Sequence, residues 1–229
     1  EGRLIRKDGS STFARLIPSF LSKDNTLGLA SIDTDGVVNG KIRTQHFDYN
    51  AFRYRDRYLN LSKESYIETL EKKYSNIEIE EYTVNNEKDL LKPVFEEYSF
   101  KHTGLTEIIV DKMYVSPLLY YSLTDNPFKL EKRDYPIDFV YPSEDKYTLT
   151  INIPQGYVVE SLPKSQVFAA DNNQLTYSFN IQATDTKIQL NAILSVNQSF
   201  ITPNYYENLK NFFKTVVENQ SDKIVLKKT

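Results

Sequence analysis

The chain has no cysteine, no tryptophan, one methionine and seven glycines among 229 residues. The missing cysteine excludes disulfides, thiolate zinc sites and cysteine nucleophiles. Seven scattered glycines leave no glycine-rich phosphate loop. No apolar run approaches the ~18 residues that a membrane span needs. Charge of one sign is lacking too. The 28 Lys and Arg are interspersed with 31 Asp and Glu for a net charge of −3, a weak field that argues against nucleic acid as a partner. The chain opens Glu1-Gly2-Arg3, with neither an initiator Met nor a signal-peptide core. It therefore reads as an excised piece of a longer polypeptide.

Aromatic residues are plentiful, with 17 Tyr and 13 Phe. Such residues suit pleated, half-buried surfaces, so the composition leans towards β-structure. The length suffices for one large domain or two small ones.

Residues 1–26 show poor periodicity and read as a linker or upstream docking segment. They carry the apolar pairs Leu4-Ile5, Phe13-Ala14, Leu16-Ile17 and Phe20-Leu21. Residues 27–32 and 37–47 flank Thr34-Asp35-Gly36, a hairpin turn signal. Two helices follow, the first from Asp48 to Tyr58 and the second from the Ser62 cap to about Asn76. From Ile77 the period becomes two, with Ile77, Ile79 and Glu81 facing one way. Residues 94–101 and 105–114 are further strand candidates. Residues 115–136 carry three prolines and read as a long ordered connection.

The clearest alternation is C-terminal. Tyr147, Leu149, Ile151 and Ile153 form one inward set. Leu175, Tyr177, Phe179 and Ile181 form a second, and Ile188 to Val196 a third. Asp171-Asn172-Asn173 and Thr184-Asp185-Thr186 supply turns. Together these segments predict an antiparallel meander with one wet face. Thr202-Pro203 opens a helix over 203–219. The expected fold is mostly β (α+β): an antiparallel β-sandwich over 77–229 with the packed helix 203–219, and a smaller hairpin-and-two-helix unit over 27–76 at its edge.

No catalytic constellation, metal cluster or cofactor motif emerges from these residues. His46 and His102 have no carboxylate or nucleophile at a telling spacing, and both read as structural. Asp33-Thr34-Asp35-Gly36 lacks the later glutamate of a calcium loop. Glu80/Glu81 and Glu96/Glu97 are neighbours on strands, so each pair points to opposite faces. Arg53, Arg57, Tyr49 and Tyr54 make a basic-aromatic cluster. At helical spacing, Arg53/Arg57 and Tyr54/Tyr58 fall on different faces. Together with Tyr120 and Tyr121, these four residues form the candidate ligand or partner surface.

The runs Asp111 to Pro117, Asn126-Pro127-Phe128, Arg133 to Phe139, Ile153 to Tyr157, Glu160 to Pro163, Tyr206 to Phe213 and Ile224 to Lys228 carry a resemblance. They resemble a domain of unknown function that follows a transglutaminase-like (papain-like) domain in large secreted or periplasmic proteins of Gram-negative bacteria. The resemblance covers roughly residues 77–229. The catalytic Cys and His of those proteins belong to the middle domain, and a cysteine-free chain cannot hold them. The resemblance thus implies a non-catalytic accessory module, periplasmic or extracellular, partnered with upstream domains of its own polypeptide. Two roles are open for such a module. It buttresses or orients the core, or it binds a cell-wall glycan, a peptide or a partner protein. Exposed aromatics lining one groove would favour binding.

Overall fold

The computed structural model describes every residue except Glu1, Arg15, Ile17, Ser19 and Asp171. The Leu16-Ile17 pair and the Asp171-Asn172-Asn173 turn therefore fall partly outside the described residues. In chain order the elements begin with strands β1 (Gly2–Ile5), β2 (Ser11–Ala14), β3 (Ser22–Ile32) and β4 (Val38–His46). Helices α1 (Asp48–Tyr58) and α2 (Lys63–Tyr74) follow. Next come β5 (Ile77–Asn85), β6 (Val94–His102), β7 (Thr106–Ile109), β8 (Lys112–Val115), β9 (Ile137–Asp138) and β10 (Ser143–Asn152). The chain continues through β11 (Tyr157–Ser161), β12 (Gln166–Ala170), β13 (Leu175–Ala183), β14 (Lys187–Val196) and β15 (Phe200–Ile201). Helix α3 (Tyr206–Ser221) and β16 (Ile224–Lys228) complete it.

The fold is mostly β, of the α+β class. Eight strands form one sheet in the order β12-β13-β14-β10-β3-β4-β6-β5, and a four-stranded sheet runs β11-β16-β8-β7. Among the described residues the strand pairs are antiparallel except β3 with β10, which makes the large sheet mixed. The segment expected at the edge supplies the middle: β3 and β4 lie between β10 and β6. The inward residues of β3 and β4 continue the buried rows of their neighbours, so pairing there closes one core rather than two.

Local chemistry explains several elements. In the β3–β4 turn, Asp33 Oδ1 accepts from the backbone N–H of Asp35 and of Val37 at 3.0 and 2.8 Å. Gly36 there has φ +83°, a conformation that glycine reaches without strain. Ser62 Oγ accepts from the Ser65 N–H at 3.1 Å and so caps α2. Helix α3 turns Leu209, Phe212, Phe213 and Val216 inward, all buried, which matches its wide apolar stripe.

Three details differ from the sequence reading. Strand β5 carries a bulge between Glu80 and Thr83, with Glu81 at φ 50°. The extra residue lets Tyr82, 4% exposed, take the inward place expected of Glu81. Residues 105–114 fold back as the β7–β8 hairpin instead of running straight. Strand β10 pairs with β14 and β3, not with β13. The 184–186 turn joins β13 to β14, whereas Asn172 and Asn173 lie between β12 and β13.

Candidate functional site

Strand register brings distant residues into rows on the inner face of the large sheet. Asp145 lies opposite Asp24, and Asp24 opposite His46. The next inward row is Tyr147, Thr26, Thr44 and Glu96. One pleat further the row turns apolar, through Leu149, Gly28, Ile42 and Tyr98. That row is tight: a Cβ on Gly28 would come within 2.5 Å of a Leu149 methyl. The polar end instead opens into a cavity of about 500 Å³. Tyr54 and Tyr58 from α1, Tyr66 and Tyr74 from α2, and Tyr120 and Tyr121 from the 119–121 turn wall it.

The charges are segregated. Acids occupy the sheet floor. His46 Nδ1 and Asp24 Oδ1 are 2.8 Å apart. Burial pulls the imidazole pKa down, but the hydrogen bond and charge of Asp24, with Glu96 and Asp145 behind, outweigh it and leave the pKa raised. Glu96 is 5% exposed, and Tyr66 Oη donates to its carboxylate. Burial holds the Glu96 pKa above the usual range. Asp145 goes further. Burial, then repulsion from Asp24, push its pKa up to about 7, against the pull of His46 and Arg53. No hydrogen bond or ion pair reaches the Asp145 carboxylate among the described residues. The bases Arg53, Arg57 and Lys73 stand exposed on the helices at the mouth. Arg53 Nη1 donates to Tyr141 Oη at 3.2 Å, and Lys73 Nζ to Tyr74 Oη at 2.8 Å.

Two buried side-chain atoms have no hydrogen-bond partner among the described residues, His46 Nε2 and Ser122 Oγ, and both residues line this cavity. Buried polar groups are nearly always paired, so these two atoms take their partners from whatever fills the hollow, water or ligand. The tyrosine walls are good donors. Tyr98 Oη lies 3.1 Å from both Tyr120 Oη and Tyr121 Oη. Burial raises the pKa of these phenols, so they stay protonated. No set of three His, Asp or Glu among the described residues is arranged to hold a metal ion.

Of the six residues proposed from sequence as a ligand surface, Arg53, Tyr54, Arg57, Tyr120 and Tyr121 line the cavity. Tyr49 does not. It is 38% exposed and stacks between Phe20 and Tyr141, at 6.0 and 5.0 Å between ring centroids. The arginine and tyrosine sides of α1 both reach the mouth because the helix lies along it. His102 is 4% exposed, and its Nδ1 accepts from the Gly104 N–H at 2.9 Å, a structural role. His46 has its carboxylate partner 22 residues away on the next strand.

Sequence reasoning missed Asp24, Glu96 and Asp145. A signal was present: each is a carboxylate on the inward phase of its strand. Asp145 extends Tyr147-Leu149-Ile151, and Glu96 sits between Val94 and Tyr98. Glu97, on the outward phase, meets Arg43 and Lys41 instead.

A family model described as a domain of unknown function with a solved structure (DUF3858) matches residues 111–226. None of the curated proteins matches. A solved structure from Parabacteroides distasonis ATCC 8503, described as a candidate protease, aligns with 43% of this chain at 13% identity and a TM-score of 0.37. The chain spans only 19% of the length of that protein.

Proposed function

The chain belongs to the DUF3858 family, and we propose that it is a non-catalytic binding module that takes a small ligand in the tyrosine-walled cavity. The carrying observation is the tyrosine-walled hollow of about 500 Å³, with His46, Ser122 and three carboxylates in its lining. That volume lies in the range of small-molecule sites, roughly 300–1,000 Å³. Aromatic walls with a few convergent polar groups are the usual lining of such sites.

Asp24 and His46 make the orienting half of a nucleophilic site. Among the described residues no hydroxyl is hydrogen-bonded to His46 Nε2, and covalent catalysis requires such a nucleophile in reach. Glycan and peptide ligands both fit aromatic walls and remain the candidate classes. We retain the accessory role beside a transglutaminase-like core, in a periplasmic or extracellular protein, as what the sequence resemblance implies. Leu4, Ile5 and Phe13 on the β1–β2 hairpin are 51, 73 and 74% exposed, which supports docking of that hairpin on upstream domains of the same polypeptide. No helix of the described residues is long and apolar enough to cross a membrane.

The test is calorimetric titration of the purified chain with free amino acids, short peptides and cell-wall glycan fragments. One-to-one saturable binding is expected, and Ser122→Phe, which puts a ring into the hollow, should abolish it. The same chain should leave peptide, ester and glycoside substrates intact. Failure of every ligand, or binding unmoved by Ser122→Phe in a folded variant, would remove the proposal. Turnover abolished by His46→Gln would replace it with an enzyme.

A further inference from the structure

We propose that the cavity recognises a zwitterion, an amino acid or short peptide with free ends, with its ammonium group on the Asp145 carboxylate beside Asp24 and its carboxylate towards Arg53 and Arg57 at the mouth. The inference rests on the binding reading above and adds the chemistry of the ligand.

The segregation of charge carries it. The carboxylates of Asp24, Glu96 and Asp145 line the cavity from three strands of the sheet, Glu96 buried and Asp24 and Asp145 partly exposed. The cations Arg53, Arg57 and Lys73 sit on the two helices, on exposed positions. A protein that only needed these charges neutralised would pair them across the cavity. Here the acids are left short of donors. Asp24 has His46, Glu96 has one tyrosine hydroxyl, and Asp145 has no hydrogen-bond donor among the described residues. A half-buried carboxylate without protein donors is poorly solvated, and an incoming cation relieves that cost. An ammonium group brings three donors on a compact charge.

The walls agree. Tyr147 and Tyr121, with ring centroids 5.0 Å apart, stand beside the acids, and aromatic faces attract ammonium groups. The orphan atoms call for more than a cation. His46 Nε2 and Ser122 Oγ need hydrogen-bond partners, and a peptide amide offers both a donor and an acceptor. A simple anion is repelled by the floor. A neutral sugar leaves Asp145 without a counter-charge. The volume exceeds what one small amino acid fills, so two or three residues are accommodated.

The experiment titrates the chain at pH 8 with three probes: trialanine, N-acetyl-trialanine and trialanine amide. Trialanine is expected to bind. Blocking its amine should weaken binding about 10- to 100-fold, the usual worth of a charged hydrogen bond. Amidation at the exposed mouth should weaken it less, by about 2- to 5-fold. Asp145→Asn should weaken trialanine by at least about tenfold and leave the acetylated probe unchanged. Arg57→Gln should affect only probes with a free carboxylate. Melting curves establish that both variants are folded. The inference is overturned if trialanine fails to bind, or if N-acetyl-trialanine binds as well as the free peptide. If a neutral glycan fragment binds in a Ser122→Phe-sensitive way while trialanine does not, the zwitterion falls and the binding site stands. If nothing binds, both fall.

Discussion

Under α3 the inner face of the large sheet is filled, and under α1 and α2 it is hollow. The filled half packs Phe212 against Phe168 at 5.2 Å and Phe128 against Phe213 at 5.1 Å between ring centroids. Its polar atoms are answered. Tyr177 Oη donates to Asn219 Oδ1 and Asn219 Nδ2 to the Lys164 carbonyl, both at 2.9 Å, while Gln220 Oε1 accepts from the Leu123 N–H at 2.6 Å. The hollow half is likewise made of strands covered by helices, α1 over β3 and β4 and α2 over β5, yet keeps a poorly paired carboxylate and a cavity. The residue classes differ as well. Phenylalanine does most of the filling in the first, whereas tyrosine walls the second, with Tyr54 Oη bonded to Tyr82 Oη and Tyr66 Oη to Glu96. One half is built for stability. The other carries unmet polar demand that stability alone does not explain.

The sharpest way to break this comparison is to empty the filled half. Phe179 is fully buried on β13. Phe179→Ala loses its transfer energy and leaves a cavity, an expected cost of about 3–5 kcal/mol. Ser122→Ala in the hollow half removes a hydroxyl with no partner and should change stability by less than about 0.5 kcal/mol. Urea denaturation of the two variants decides. Similar costs for both would mean the halves are packed alike.

Next in size is the pH dependence carried by Asp145. Its folded pKa of about 7 lies above the ordinary 3.8, so the native state holds a proton that the unfolded chain releases. The contribution is therefore most favourable at low pH and is lost as pH rises from about 4 to 7. His46, also raised, adds loss of the same sign as pH climbs past its ordinary 6.5. Asp24, Glu144, Arg53 and His46 all act on Asp145 and share in the slope. Asp145→Asn should make the chain more stable at pH 8 by on the order of 2 kcal/mol, with the gain vanishing near pH 4. Denaturation midpoints at pH 4, 6 and 8 test it. Parallel curves for variant and parent would show that Asp145 is not desolvated.

The comparison also explains what was legible in the sequence. The filled half was readable because its strands alternate cleanly: Tyr177-Phe179-Ile181 and Ile188-Leu190-Ala192 need no context. The hollow half was not, for the same reason that it is a candidate site. Ser22-Lys23-Asp24-Asn25-Thr26 looks irregular because its inward residues are polar, and so the first part of β3 reads as linker. Asp24 and His46 are adjacent only through antiparallel register, and Asp24 and Asp145 only through a parallel pairing that no local signal announces. The helices were legible through the Ser62 cap and the Asp48 start, as were Arg53, Tyr54 and Arg57 as a cluster. That both faces of α1 reach one cavity depends on where the sheet places the helix, which residue spacing does not encode.

The smallest expected effect tests whether the two halves are separate units of stability. Ser62 Oγ accepts from the Ser65 N–H at the start of α2, and that helix covers the hollow half, packing on β5. Ser62→Ala removes the cap and should cost about 1 kcal/mol. If the halves differ as argued, the loss is local. Amide hydrogen exchange should quicken along Lys63–Tyr74 and at Tyr66, whose hydroxyl holds Glu96, while α3 amides over 206–221 keep their protection. Loosening α2 should also weaken any ligand held against Tyr66 and Tyr74, without unfolding the sheet. If exchange in α3 quickens by the same factor as in α2, the helices open together. The sheet face would then be one cooperative unit whose hollow end is stabilised by its filled end, and the cavity would owe its shape to α3 as much as to its own walls.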